Sequence, residues 1–178
     1  VAPGATDDRK NGERPDADGA EGLERVVLLT GTVGVGKTAT GHALAEHLGR
    51  GDTPAAFVDL DALTRRWPPP ADDPFRFALE VDSLAALAAP LRRAGTRLLV
   101  LAGVIDRPSD LTALSDAVGC PITVIRLVAS GATVEARLRT RHVGVETDGL
   151  GWHLDRAPEL VALQDDALAG LAHHTVDA

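Results

Sequence analysis

Along the chain, short continuous apolar runs alternate with stretches in which apolar residues recur every three or four positions. Residues 26–30 (VVLLT) form an apolar run that stops at a glycine, the pattern of a strand buried on both faces. Residues 38–48 follow as a helix, with Ala39, Ala43, Leu44 and Leu48 on one stripe and Gly49 placed to end it. Residues 55–61 (AAFVDLD) predict a second strand. Phe77, Val81, Leu84, Ala88 and Leu91 then keep helical spacing, and Pro90 is expected to bend or break that helix. A third strand over 97–105, a short helix over 111–118, a fourth strand over 122–128 and a helix over 132–141 continue the alternation. A last helix from 154 or 158 to 171 and a short strand over 174–177 close it. Strands alternating with helices predict an α/β domain, a parallel sheet covered on both faces.

Residues 1–24 carry Gly, Pro, Asp and Glu without apolar periodicity, so they cannot bury enough surface to offset their ordering entropy. They predict a disordered lead-in to one domain over 25–178. The 178 residues suit a single core rather than two. A net charge of −8 argues against binding to a nucleic-acid backbone, which usually needs a basic face. The longest apolar run, 98–105, is far below the ~20 residues of a membrane-spanning helix. One cysteine, Cys120, excludes an internal disulfide, and the histidines lack metal-ligand spacing. The polar N-terminus does not resemble a secretory signal, so the chain reads as soluble and cytoplasmic. Opening on Val1 without methionine fits a GTG start translated literally, or a processed or tagged end.

Cation usage singles out one position. The chain has sixteen arginines but only two lysines, Lys10 in the polar tail and Lys37 in the domain. Lys37 lies in GTVGVGKT, where Gly31, Gly36, Lys37 and Thr38 match G-x-x-x-x-G-K-[ST] between a predicted strand and a predicted helix. In that context Gly31, Thr32, Val33, Gly34, Val35 and Gly36 turn successive backbone N–H groups toward phosphate oxygens, with the helix N-terminus adding positive potential. Lys37 reaches the β- and γ-phosphates as a compact charge where a planar guanidinium would not fit. The Thr38 hydroxyl is a ligand for Mg²⁺. A dinucleotide fingerprint needs G-x-G-x-x-G, and the spacing here runs G-x-x-G-x-G before a lysine. The guanine-reading N-K-x-D loop is absent, because Asn11 is the only asparagine. Ring-forming motor ATPases need a larger chain and an acidic pair closing an apolar strand, whereas LLVLAGV meets no acid before Asp106. A small phosphotransferase remains.

FVDLD adds Asp59 and Asp61, two apart and therefore on one face of a strand that continues through both. At the carboxyl end of a parallel strand they overlook the ligand crevice. There they can hold Mg²⁺ through water, accept a hydroxyl proton, or grip other substrate hydroxyls. The bland alternative is a solvated strand end at Asp59 and a helix cap at Asp61. On the helix over 132–141, taking Val134 as the buried centre places Leu138, Arg141 and Arg137 along the buried side and Arg139 opposite.

With GTVGVGKT, FVDLD, LAGV and VEARLRTRH in this order, the chain resembles P-loop small-molecule kinases of the nucleoside-monophosphate-kinase type: shikimate, gluconate and adenylylsulfate kinases and chloramphenicol phosphotransferase relatives. The resemblance implies a five-stranded sheet of order 2-3-1-4-5. It also implies ATP and Mg²⁺, and a small hydroxylated acceptor that receives the γ-phosphoryl group. It assigns Asp59 to metal or base work, with Thr38 on the metal, and Asp61 to the substrate. It gives Arg137, Arg141 and Arg156 contacts to nucleotide or transferring phosphoryl. Gly103 would line the acceptor, where shikimate kinase has three glycines and this chain one. Arg65 could reach an anionic substrate, and Trp67 and Trp152 would bracket the crevice as core or lid packing. Three residues follow Thr175, too few for the usual adenine-packing loop, which leaves ATP against GTP unwritten. A nucleotide-binding or slow NTPase module without an acceptor is the second reading.

Overall fold

The computed structural model describes residues 22–141, 148–167 and 170–178. The expected lead-in over 1–21 and most of the expected lid, 142–147, lie outside the described residues, as does the side chain of Trp152. Five strands form one sheet: β1 (Arg25–Thr30), β2 (Ala55–Asp59), β3 (Leu98–Ala102), β4 (Ile122–Val128) and β5 (His174–Asp177). Their order is β2-β3-β1-β4-β5 with every pairing parallel, as the sequence predicts. The helices are α1 (Lys37–Arg50), α2 (Leu60–Leu63), α3 (Phe77–Arg93), α4 (Pro108–Val118), α5 (Gly131–Arg141) and α6 (Asp148–Ala167).

Alternation along the strands divides the core between the sheet's faces. Val26, Leu28, Leu99 and Leu101 pack against Leu84 of α3 and Leu114 and Val118 of α4. Leu29, Leu98 and Val100 pack against Ala45 of α1. Val134 and Leu138 of α5 meet Ala157 of α6 in a smaller cluster beside the loop after β1. Leu23 is also buried in the core, and Glu24 N–H donates to the Arg97 carbonyl, so the fold begins before Arg25. Among the described residues no helix is long and apolar enough to cross a membrane.

Four local expectations are corrected. In α1 the buried residues are Gly41 and Ala45, while Ala39 and Ala43 are exposed. Gly41 sits so close to the Phe57 ring that a Cβ would approach it to 2.5 Å, and this contact rotates the helix away from the stripe its larger residues suggest. Helix α3 runs through Pro90, and α6 through Pro158. Pro90 and Ala86, whose carbonyl loses its partner, are both exposed, so water can satisfy that oxygen. Strand β2 stops at Asp59, and Asp61 belongs to the first turn of α2 rather than to the strand.

Candidate active site

Strand β1 ends where the chain must turn sharply into α1, and glycine makes the turn possible. Gly31, Gly34 and Gly36 all have φ in the left-handed region. At Gly31 a Cβ would also fall 2.4 Å from the Leu127 carbonyl oxygen of β4, so no side chain fits. The loop is tied down from outside. Thr32 Oγ1 donates to the Ala157 carbonyl of α6 (2.9 Å), and the Arg137 guanidinium donates to the Val35 carbonyl (2.7 Å).

Lys37 opens α1 and folds back over this loop, its ammonium donating to the carbonyls of Gly31 (3.0 Å) and Thr32 (3.1 Å). Burial pushes the ammonium below its ordinary pKa; Asp61 and then Asp59 oppose that shift, and Arg141 adds to it. One residue on, Thr38 Oγ1 donates to Asp59 Oδ2 at 2.8 Å. A hydroxyl and a carboxylate this close make a pair of hard oxygen donors at the loop's edge, the donor type Mg²⁺ prefers.

A cavity of about 450 Å³ opens beside Lys37. Asp61, Glu80, Asp106, Arg156 and Phe75 line it together with the lysine. Arg156 lies over the Phe75 ring at 5.6 Å and donates to Glu159 at 3.1 Å, with Asp106 at 3.8 Å. Asp110 is 6% exposed and saturated, receiving the N–H groups of Asp106 and Arg107 and facing the Arg107 guanidinium. Glu80 is 8% exposed, yet its Oε1 has no hydrogen-bond partner. Burial raises its carboxyl pKa to about 8, helped by Asp61, Asp110, Asp73 and Asp59.

The residues singled out by sequence fall into two groups. The loop 31–38, Asp59, Asp61 and Arg156 converge on the cavity or its lysine wall. Arg141 ends α5 within electrostatic reach of Lys37, but it is exposed, as is Arg137, so neither lies along the buried side as the helical spacing suggests. Val134 and Leu138 alone fill that side, Arg137 braces the loop, and Arg139 pairs with Glu135. Arg65 is exposed and does not line the cavity. Gly103 is buried under Leu60, where a Cβ would come within 2.6 Å of Leu60 Cδ1. Trp67 is 74% exposed and does not pack in the core. Glu80, Asp110 and Phe75 escaped the sequence reading. For Glu80 a signal exists: it stands three residues after Phe77 and four before Leu84, a carboxylate on an apolar stripe.

A scan against protein-family models found no match, and neither did a search of curated protein sequences. Solved structures do match. A gluconokinase from Sinorhizobium meliloti 1021 shares 21% identity over 88% of this chain and 83% of its own, with a TM-score of 0.55. A shikimate kinase from Acinetobacter baumannii, in complex with shikimate, shares 21% over 86% and 83%, with a TM-score of 0.57. The tunicamycin resistance protein of Deinococcus radiodurans shares 23% over 86% of each chain, with a TM-score of 0.53. The likeness is one of fold. It matches the kinase resemblance drawn from GTVGVGKT and FVDLD, and the α/β architecture predicted with it.

Proposed function

We propose that the chain is an ATP- and Mg²⁺-dependent kinase that phosphorylates a hydroxyl of a small molecule. The observation that carries this reading is Lys37 and Asp61 lining one cavity, with the Thr38–Asp59 pair beside it. A nucleotide-binding module needs the loop alone; a kinase also needs an acid facing an acceptor pocket. In the reaction, the acceptor oxygen bonds to the γ-phosphorus and the bond from that phosphorus to the β–γ bridging oxygen breaks. ADP leaves, and the hydroxyl proton passes to a carboxylate. Asp61 suits the proton, since it lines the cavity, while Asp59 is committed to Thr38. Thr38 and Asp59 would hold Mg²⁺, which neutralises charge on the phosphates when bound. Among the described residues no group of three or more His, Cys, Asp or Glu side chains is placed to hold a metal ion by itself. Lys37, Arg141 and Arg156 supply positive charge where the phosphoryl group moves. The net charge of −8 favours a small molecule over nucleic acid as partner.

The test is a screen of hydroxylated compounds with Mg·ATP, following ADP release and phosphorylated product by mass. Lys37→Ala is expected to abolish turnover and leave the fold intact, and Lys37→Arg to restore little. Turnover in Lys37→Ala within about threefold of wild type would sink the mechanism.

A further inference from the structure

Glu80 has no part in the chemistry just described, yet it stands in the wall of the same cavity. It comes from α3, two positions clear of the N-terminal amides of Phe77 and Ala78, which Asp73 already caps. Its Oε1 is buried and unpartnered, a costly arrangement for a carboxyl group. The cost is hard to explain as packing, because a leucine would suit the apolar stripe of Phe77, Val81 and Leu84 better.

The charges around Glu80 narrow what it awaits. Asp61 on α2, Asp110 on α4, Asp73 before α3 and Asp59 at the end of β2 all bear on it, and every one is an acid. The cavity's cations are engaged elsewhere. Lys37 rests on loop carbonyls, Arg107 on Asp110, and Arg156 on Glu159 and Phe75. Arg76 donates to the Arg66 carbonyl through one Nη, while its Nε is buried without a hydrogen-bond partner. None of these four donates a hydrogen bond to Glu80 Oε1. A carboxylate entering here would meet repulsion, and a second hydroxyl would leave the negative field uncompensated. The acids do not form a metal cluster among the described residues. An ammonium group fits: it supplies the missing donors to Oε1 and a charge opposite to the four acids that bear on Glu80.

We infer that the acceptor is an amino alcohol or amino sugar, and that Glu80 is the specificity-determining residue that takes its ammonium group. This rests on the kinase reading. The free pocket keeps the Glu80 proton at neutral pH, and an arriving ammonium displaces it to solvent, leaving an ion pair. Below pH 8, therefore, acceptor affinity should fall as protons compete for Glu80.

The experiment measures Mg·ATP turnover with matched acceptors bearing an amine, no charge or a carboxylate: glucosamine with glucose and glucuronate, and larger aminocyclitols with inositols. We expect turnover confined to amine members. For the best amine, KM should rise as pH is lowered from 7.5 to 6, by at most about tenfold per unit. Glu80→Gln, isosteric with the protonated acid, should raise that KM at pH 7.5 at least thirtyfold (about 2 kcal/mol by RT ln 30) and flatten its pH dependence, with Mg·ATP affinity unchanged. Preference for uncharged or carboxylate members overturns the inference, as does a Glu80→Gln variant that discriminates like wild type. Absence of turnover with every amine, while Mg·ATP binds in a Lys37-dependent manner, overturns it too. Absence of Lys37-dependent Mg·ATP binding instead brings down the kinase reading beneath it.

Discussion

Glu80 also makes a stability prediction that needs no substrate. Its carboxyl pKa is raised from 4.5 to about 8 in the folded chain, chiefly by burial. Between those values the unfolded chain has released the proton and the folded chain still holds it. Stability contributed by this group is therefore full below pH 4.5 and is lost as pH rises toward 8, the reverse of an ordinary paired carboxylate. About 3.5 pH units at about 1.4 kcal/mol each set an upper bound of about 5 kcal/mol. Water entry and side-chain rearrangement reduce the penalty, and a loss of about 2–3 kcal/mol is the expected scale. Glu80→Gln keeps the shape and cannot ionise. At pH 5 the variant and wild type should melt within about 2 °C of one another. At pH 8.5 the variant should melt higher by about 5–10 °C, since 1 kcal/mol moves a domain of this size by about 2–4 °C. Scanning calorimetry across pH 5–8.5 reads the difference between the two curves, which cancels every other titrating group. Parallel curves, or a variant less stable at pH 8.5, would refute the reasoning and place the carboxyl where water reaches it.

Three other outcomes follow from the geometry. Asp61→Asn should cut kcat by about 10² or more if the residue takes the hydroxyl proton, with ATP affinity little changed; Asp59→Asn should instead raise the Mg²⁺ concentration needed for half-maximal rate, and metal-titrated kinetics separate the two. Gly103→Ala should cost about 1–3 kcal/mol by overpacking against Leu60, and because Leu60 stands between Asp59 and Asp61, activity at temperatures well below the melt should fall as well; denaturant melts and turnover at 20 °C check both. Arg156→Ala should lower turnover at least about tenfold and Arg139→Ala scarcely at all, since the latter's guanidinium is occupied by Glu135 on an exposed face; equal mild effects would show that neither arginine meets the phosphoryl group.

The sheet was legible because its inner strands are buried on both faces. Leu98, Leu99, Val100 and Leu101 leave no alternation to misread, and the strand's identity survives ignorance of its neighbours. The phosphate loop was legible for a different reason: its glycines answer to backbone geometry, which is local. What escaped depends on contacts far apart in sequence. Gly41 reads as a weak point of α1 until Phe57 is seen against it, and then it becomes the helix's buried centre. Arginines on α5 were placed by angle alone, yet a guanidinium on a long stem reaches around the helix, and Arg137 does so to hold the Val35 carbonyl. Proline marks a break or a start locally, yet α3 continues past Pro90 and α6 begins well before Pro158, and both prolines lie on solvent faces where water can satisfy the freed carbonyl.

The same distinction explains how two nearby aspartates can have separate jobs. A strand through Asp61 would have pointed both carboxylates at one ligand, as the D-x-D spacing suggests. The strand stops at Asp59 because Leu60, wholly buried, turns in under Gly103 and starts a helical turn. That turn carries Asp61 to the wall of the cavity while Asp59 stays beside Thr38. One buried leucine thus separates an oxygen committed to the loop's edge from an oxygen facing the pocket. Asp61 in turn bears on both Lys37 and Glu80, opposing the loss of charge at the lysine and favouring the neutral form of the acid. An ammonium at Glu80 would release part of that field and hold the acceptor hydroxyl's carrier between the two carboxylates. In the proposed arrangement the acid that would take the proton and the acid that would recognise the acceptor are electrostatically coupled, so a change at Glu80 should register in kcat as well as in KM.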